Sequence, residues 1–390
     1  MLQRLKNIYH VFIALLGCVL YRFPSRELKV IGVTGTDGKT TTVSLIYHIL
    51  KTAGKKVAMI SSVNAQIGDK TYDIGFHVTT PDSLMIQKFL RQAVNQGVEF
   101  FILETTSHAL DQNRVFGVRY KMGVLTNVTH EHLDYHHSYE NYVLTKLKLL
   151  AKASIAIANT DDNSFVFVNK LIDRKKLTTY GIKKPADVNI STFPFKTDLP
   201  GEYNQYNCLA SIAACKNLGI TDNQIRKALR SFKPVVGRME TVYNKSFKVI
   251  IDFAHTPNGL REALKAVRSK VKGRIIHVFG SAGLRDVTKR PIMGKISDEL
   301  ADISILTAED PRTESLNNII DQINSGFKKH KPLRIPDRQE AINSAIKMAN
   351  VDDIIILTGK AHEKSMCFGK KEYPWSEHNA VILALKKANR

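Results

Sequence analysis

The chain has 390 residues, 43% hydrophobic and 24% charged, with a formal net charge of +21. This composition is ordinary for a soluble globular protein and excludes collagenous, low-complexity and disulfide-framework chains, while the length allows two domains with sizeable cores. The lysines are spread along the chain rather than interleaved with aromatic clusters, so the basic balance reads as attraction for anionic small molecules and excludes nucleic acid as the expected partner.

Arg4 and Lys6 precede an apolar run, Val11 to Leu20, that is similar to the front of a signal peptide. The run falls short of the roughly 20 apolar residues that a membrane span needs. Residues 1–27 are therefore expected to form an apolar, amphipathic helical segment. It would pack on the body or make a peripheral contact with the inner face of the membrane. Cys18, Cys208, Cys215 and Cys367 form no CxxC pair, which suits a reducing cytoplasm.

Strand-length apolar runs then alternate with helix-period segments. Strands are predicted at 28–33, 57–63, 98–103, 122–125 and 154–158. Helices are predicted at 39–51, 83–95, 139–150, 204–218 and 222–232. After Pro234 the pattern begins afresh, with strands at 248–253, 274–279, 303–306 and 353–357. The matching helices are 260–269, 289–300, 316–327, 339–348 and 380–387. Such alternation predicts an α/β chain with parallel sheets covered by helices. The expected fold is a P-loop parallel-sheet ATPase domain, 28–235, followed by a smaller Rossmann-like α/β domain, 236–390.

The first strand runs into Gly35, Thr36, Asp37, Gly38, Lys39, Thr40 and Thr41. Glycines let backbone N–H groups wrap phosphate oxygens. Lys39 can reach the β- and γ-phosphates of ATP, and the Thr40 hydroxyl can ligate Mg²⁺. With five residues between Gly32 and Gly38 the spacing is one residue longer than the GxxxxGK[ST] pattern, yet strand, glycine turn, Lys-Thr and helix come in order. Glu104 ends an apolar strand at the carboxyl edge of a parallel sheet, where it can hold the phosphate-bound metal. After the strand ending at Leu125 come His130, Glu131, His132, Asp134 and His136. Their residue types permit zinc; their place at the same sheet edge favours a second Mg²⁺ or a substrate role.

Together with Gly35–Thr42, the segments Thr79-Thr80-Pro81, Glu104–Leu110, Thr126–His136 and Lys146 resemble the Mur ligases. So do Asn204–Asn207, Gly237–Glu240, Asp252–Pro257 and Gly359–Glu363. The ordered set spans both domains and is most similar to the members that add a diamino acid to UDP-MurNAc-L-Ala-D-Glu in peptidoglycan synthesis. The resemblance implies a cytoplasmic ATP-dependent, ADP-forming ligase that phosphorylates a carboxylate and lets an amine attack the acyl phosphate. It implies ATP and two Mg²⁺, with Lys39, Lys146 and His132 as catalytic residues. Thr40 and Glu104 would hold the first metal. His132 and a carbamylated Lys146 would serve the second. Asn204 and Asn207 fall at adenine-side positions, and Arg238 and Asp252 at positions that complete the ATP site. Thr79, Thr80, Thr106, Gln112 and Arg114 match positions that hold the sugar-peptide acceptor. Glu309, Asp310, Pro311 and Arg312 resemble the Asp-Asn-Pro-Arg motif of ligases specific for meso-diaminopimelate, with Glu-Asp in place of Asp-Asn. Arg285, Gly359 and Glu363 match further diaminopimelate positions. An arginine suits this amino acid because its second carboxylate, absent from lysine, can be gripped bidentately.

Such ligases carry an additional N-terminal domain for the uridine nucleotide, and here fewer than thirty residues precede the first strand. The acceptor could therefore be a similar carboxylate. Alternative readings are a folylpolyglutamate- or cyanophycin-synthetase-like ligase, or an ATP-binding module without ligase turnover.

Overall fold

The computed structural model describes residues 2–75 and 79–390; the Arg4 and Lys6 side chains lie outside the described residues. The chain divides into two compact units. One is Met1–Thr129 with His136–Lys233, and the other is Pro234–Arg390 with the short segment His130–Tyr135.

The first unit begins with α1 (Leu2–Leu20), followed by β1 (Lys29–Thr34), α2 (Lys39–Thr52) and β2 (Val57–Ile60). A hairpin of β3 (Ala65–Ile67) and β4 (Lys70–Tyr72) leads to α3 (Ser83–Asn95) and β5 (Phe100–Glu104). Next come α4 (Ser107–Asp111), β6 (Tyr120–Leu125), the short α5 (Leu133–His136), α6 (Tyr139–Lys152) and β7 (Ile155–Asn159). The unit closes with α7 (Phe165–Leu171), β8 (Leu177–Tyr180), α8 (Glu202–Asn217) and α9 (Asp222–Ser231). Its sheet has the order β4-β3-β2-β5-β1-β6-β7-β8. Strands β2 through β8 of that order run parallel, and only the β3–β4 edge is antiparallel. The central strands are apolar on both faces because helices cover both sides; all of β5 is buried. Each such Ile, Leu or Phe contributes about 1.5–3 kcal/mol of burial.

α1 lies on α3. A Cβ at Gly17 would come 3.2 Å from a Leu84 methyl, so the helices meet closely there. Asn7 Nδ2 also donates to Asp111 O at 3.0 Å. The inner face carries Ala14 and Cys18, fully buried, whereas Tyr9, Phe12, Leu16 and Val19 on the other side are exposed. No helix among the described residues is long and apolar enough to cross a membrane.

The second unit has β9 (Glu240–Asn244), β10 (Lys248–Asp252), α10 (Pro257–Arg268), β11 (Ile275–Phe279), α11 (Lys289–Leu300) and β12 (Ile303–Leu306). It continues with α12 (Leu316–Asn324), β13 (Leu333–Arg334), α13 (Arg338–Met348), β14 (Ile354–Thr358), the hairpin β15 (Ser365–Phe368) and β16 (Lys371–Pro374), and α14 (Glu377–Lys387). The sheet order is β13-β12-β11-β14-β10-β9, parallel except for β9.

The predicted elements are present, and their ends move by a few residues. The strand expected over 57–63 stops at Ile60, because Ser61 turns the chain: its N–H donates to Asn64 O at 2.9 Å. The helix expected to reach 327 ends at Asn324, ahead of Gly326, whose backbone packs against Pro291 O. The antiparallel edge strands, β8, the β15–β16 hairpin and α7 were not foreseen. They are short or exposed on one side, so their apolar periodicity is weak.

Candidate active site

In the first unit, β1 delivers the glycine turn to the N-terminus of α2, where helix N–H groups and dipole favour an anion. Gly35 and Gly38 have φ of +152° and +81°. A Cβ at Gly35 would collide with Thr126 Oγ1, and one at Gly38 with Asn207 Oδ1. The turn is cross-braced by Asn127, whose Oδ1 accepts from Asp37 N at 3.0 Å and whose Nδ2 donates to Asp37 O at 3.1 Å. Thr126 Oγ1 donates to the same carbonyl at 2.7 Å. Lys39 Nζ lies over the turn, 2.8 Å from Thr36 O.

The Thr40 hydroxyl donates to Glu104 Oε1 at 3.1 Å and lies 2.9 Å from Ser62 Oγ. The other Glu104 oxygen accepts from Ser62 N at 2.8 Å. This places a carboxylate and a hydroxyl beside the phosphate cradle, a hard-oxygen pair that fits a Mg²⁺ which keeps its other positions for phosphate and water. Among the described residues no group of three or more His, Cys, Asp or Glu could hold a metal ion.

α6 supports the turn from behind. Buried Lys146 donates to Gly35 O at 2.7 Å and lies 4.3 Å from the Tyr142 ring centroid, and Thr36 Oγ1 donates to Tyr142 OH at 3.2 Å. From α8, Asn207 Nδ2 donates to Asn204 Oδ1 at 3.0 Å, and Asn204 Nδ2 to Pro200 O at 2.7 Å. Thr80, Thr106 and Arg114 gather at the end of β5. Thr80 Oγ1 donates to Glu104 O at 3.0 Å and accepts from Thr106 N at 3.0 Å; Arg114 Nη1 donates to Thr80 O at 2.6 Å. Thr79 adjoins this cluster in sequence, and Gln112 caps α4. His136 Nε2 lies 3.0 Å from Ser107 Oγ, and burial, then the charges near it, bring its pKa down to about 4.

In the second unit, the His130–Tyr135 segment is anchored by Glu131, 3.1 Å from Lys289 Nζ, with both side chains buried. His130 Nε2 lies 3.2 Å from Thr288 Oγ1, and His132 has φ of +57°. Asp252 ends β10 and accepts from Met239 N at 2.7 Å and Ala254 N at 2.8 Å. That holds the backbone beside Arg238, whose guanidinium lies 4.6 Å from the Phe253 ring centroid.

The loops after β12 and β14 meet. A Cβ at Gly359, where φ is +101°, would collide with the Glu309 carboxylate. Glu309 is 6% exposed, and its Oε2 has no hydrogen-bond partner among the described residues. Burial pushes its carboxyl up to about 7, aided by Asp310 and opposed by Lys289, Arg338 and Lys360. Asp310 is engaged by buried Lys360, 2.9 Å from both carboxylate oxygens, and by Cys367 N at 2.9 Å. Lys360 also donates to Glu363 at 2.7 Å. Pro311 carries the chain to Arg312, whose Nη1 donates to Gly283 O at 3.2 Å. Desolvation, and next the charge of Arg312, hold the Arg285 pKa below its ordinary value, while Asp134, Glu131 and Glu363 pull it up. A buried guanidinium beside a second positive charge forms a setting that an anion would relieve.

Sequence reasoning missed Lys289, Lys360 and Arg338 as buried cations. Lys360 lies inside a segment already singled out; Lys289 and Arg338 begin helices, where a basic residue carries no sequence signal.

Two domain families match the chain: the Mur ligase middle domain over residues 33–215, and the Mur ligase glutamate ligase domain over 237–361. The UDP-N-acetylmuramoyl-L-alanyl-D-glutamate–2,6-diaminopimelate ligase of Clostridium tetani is 40% identical, covering 93% of this chain and 78% of that protein. The corresponding ligase 1 of Clostridium acetobutylicum is 38% identical over 96% of this chain and 81% of its own. A solved structure of a UDP-N-acetylmuramoyl-L-alanyl-D-glutamate–2,6-diaminopimelate ligase superposes with a TM-score of 0.62 at 27% identity, covering 93% of this chain and 79% of that chain. The Mycobacterium tuberculosis folylpolyglutamate synthase complexed with ADP and AMPPCP reaches a TM-score of 0.74 at 14% identity, covering 90% and 92%, a likeness of fold.

Proposed function

This chain belongs to the Mur ligase family, and from that premise we propose that it joins meso-diaminopimelate to the D-glutamate carboxylate of UDP-MurNAc-L-Ala-D-Glu. The reaction consumes ATP and releases ADP and phosphate. A carboxylate is a poor electrophile because its leaving group would be oxide. Phosphorylation gives it a leaving group, and the amine then attacks the acyl phosphate to form the amide.

The residues of the first unit suit the phosphoryl half. Gly35 and Gly38 let the turn take positive φ against Thr126 and Asn207, and Lys39 is assigned to the charge on the transferring group. Thr40 and Glu104 are assigned to one Mg²⁺, and His132 with carbamylated Lys146 to a second. When bound, the metal supplies Lewis-acid stabilisation of the phosphoryl oxygens. Asn204, Asn207, Arg238 and Asp252 are assigned to the nucleotide. Thr79, Thr80, Thr106, Gln112 and Arg114 are assigned to the acceptor. The amine falls to Arg285, Arg312, Glu309, Gly359 and Glu363, with Asp310 and Pro311 shaping their loop.

One observation supports diaminopimelate over lysine: the charge of Arg312 acts on buried Arg285, a setting that the second carboxylate would relieve. The test supplies UDP-MurNAc-L-Ala-D-Glu, ATP and Mg²⁺ with either diamino acid and reads product mass and phosphate release. Folded protein that forms no product sinks the reading; a preference for lysine sinks its amine half.

The exposed stripe of Tyr9, Phe12, Leu16 and Val19 on α1 supports a peripheral contact with an anionic bilayer. α1 contains no acidic residue, and the chain's net charge of +21 opposes a second copy as occupant. Co-sedimentation with phosphatidylglycerol vesicles, and its loss in Phe12→Ser, is expected; equal sedimentation of both proteins rejects the contact.

A further inference from the structure

The proposed amine half-site stands on two loops, 307–312 after β12 and 359–363 after β14. These strands are not neighbours, because β11 lies between them. Their ends are therefore about 10 Å apart, and no ladder bond between β12 and β14 sets the separation of the loops. Lys360 of the second loop pairs with Asp310 of the first, and at the bases of the loops a further side chain spans the gap. Arg338, at the start of α13, is 2% exposed as a residue, with its side chain fully buried. Its Nη1 donates to Ala308 O at 3.2 Å and its Nη2 to Thr358 O at 2.9 Å. Ala308 immediately precedes Glu309, and Thr358 immediately precedes Gly359.

The guanidinium is itself held. Its Nε donates to Glu377 Oε2 at 3.0 Å, Nη2 donates to Glu377 Oε1, and Trp375 Nε1 donates to Glu377 Oε2 at 2.7 Å. Five N–H groups in a planar fork can serve two carbonyls and a carboxylate at once, which a lysine ammonium cannot do with the same geometry. A buried ion pair gives little net stability over a well-packed apolar substitute. A need for fixed geometry accounts for the arrangement better than stability does. The dependent geometry is the seating of the Glu309 carboxylate over Gly359, which holds only while the two loops keep their spacing.

We propose that Arg338, braced by Glu377 and Trp375, is a positioning residue that sets the spacing of loops 307–312 and 359–363 and thereby the capture of the diamino acid. Its substrate side rests on the ligase reading above. Arg338 does not touch the substrate. It acts through Ala308 and Thr358, and through its charge on Glu309, alongside Lys289 and Lys360 and against Asp310.

The test uses full-length Arg338→Lys, Arg338→Gln and Glu377→Gln. Thermal unfolding, KM for diaminopimelate, KM for ATP, kcat and backbone hydrogen exchange are measured. The diaminopimelate KM is expected to rise about tenfold in Glu377→Gln and Arg338→Lys, with the ATP KM within about twofold of wild type. Exchange should quicken in 307–312 and 359–363 but not in 35–42. Arg338→Gln should also shift the pH dependence of the diaminopimelate KM to higher pH, because a cation that favours ionised Glu309 is gone; Arg338→Lys, which keeps the charge, should not. An equal rise in both KM values, or an unchanged diaminopimelate KM, overturns the proposal. If Arg338→Gln does not fold, Glu377→Gln decides. If the wild type makes no product, the ligase reading fails by itself, and unchanged exchange in the two loops of Glu377→Gln still overturns the clamp.

Discussion

Replacing Glu309 by glutamine should stabilise the protein in a pH-dependent way while it damages amine binding. The ordinary value of the carboxyl, 4.5, is raised to about 7 in the folded protein, with burial as the largest cause. A raised acid favours the folded state fully below its unfolded pKa. That contribution is lost as pH rises from about 4.5 toward 7, because the unfolded chain ionises freely and the folded one resists. The rise from 4.5 to about 7, at about 1.36 kcal/mol per pH unit, corresponds to at most ~3 kcal/mol. Glutamine keeps the shape and removes the titration. The unfolding temperature of Glu309→Gln relative to wild type should therefore climb between pH 5 and pH 7.5 by several degrees, at roughly 2–4 °C per kcal/mol. The assay is a pair of thermal melts across that range. A difference that stays flat with pH, or that changes sign, refutes the idea that a buried, half-neutral carboxyl sits at this position. In the same range the diaminopimelate KM of wild type should fall about tenfold from pH 6 to pH 8 as Glu309 ionises, and that of the variant should not.

Lys39→Ala should cut turnover by about 10²–10³-fold, since the ammonium over the glycine turn is assigned to the charge on the transferring phosphoryl group; wild-type rates in steady-state phosphate release would remove Lys39 from the phosphate cradle. Glu104→Gln should raise the Mg²⁺ concentration for half-maximal activity by about tenfold, because a neutral amide offsets less of the metal's charge; an unchanged Mg²⁺ titration argues against the oxygen pair formed with Thr40. Arg312→Ala should narrow the preference for diaminopimelate over lysine by about 10–100-fold, the worth of a charge-assisted grip on one carboxylate. Unchanged selectivity in a competition assay read by product mass would place that carboxylate elsewhere.

The alternation of apolar strands with helix-period segments made the layered α/β architecture legible in advance. Buried parallel strands must be apolar on both faces, and such runs stand out. The glycine turn, Lys39 and Thr40 were equally plain. Their chemistry depends on backbone conformation and on residues adjacent in sequence, so local order suffices to recognise them. The pairing of Thr40 with Glu104 was readable one step further, because both positions end or follow parallel strands and so share an edge. The edge hairpins left weak signals, since short half-exposed strands need little apolar periodicity.

The Glu309–Arg312 segment marks the limit. Its sequence named the residues and suggested an anionic group on the amine. It did not reveal that Asp310 is engaged by Lys360, that Glu309 keeps a buried oxygen without a partner among the described residues, or that Arg338 reaches both loop bases. Each of these joins residues tens of positions apart: Lys360 to Asp310, Arg338 to Ala308 and Thr358, and Glu377 to Arg338. Local sequence determines what a residue can do chemically, because donor, acceptor and charge belong to the side chain. Whether a carboxylate is paired, buried or left near neutrality depends on which distant cations reach it, and that was decided only when the strands took their order in the sheet.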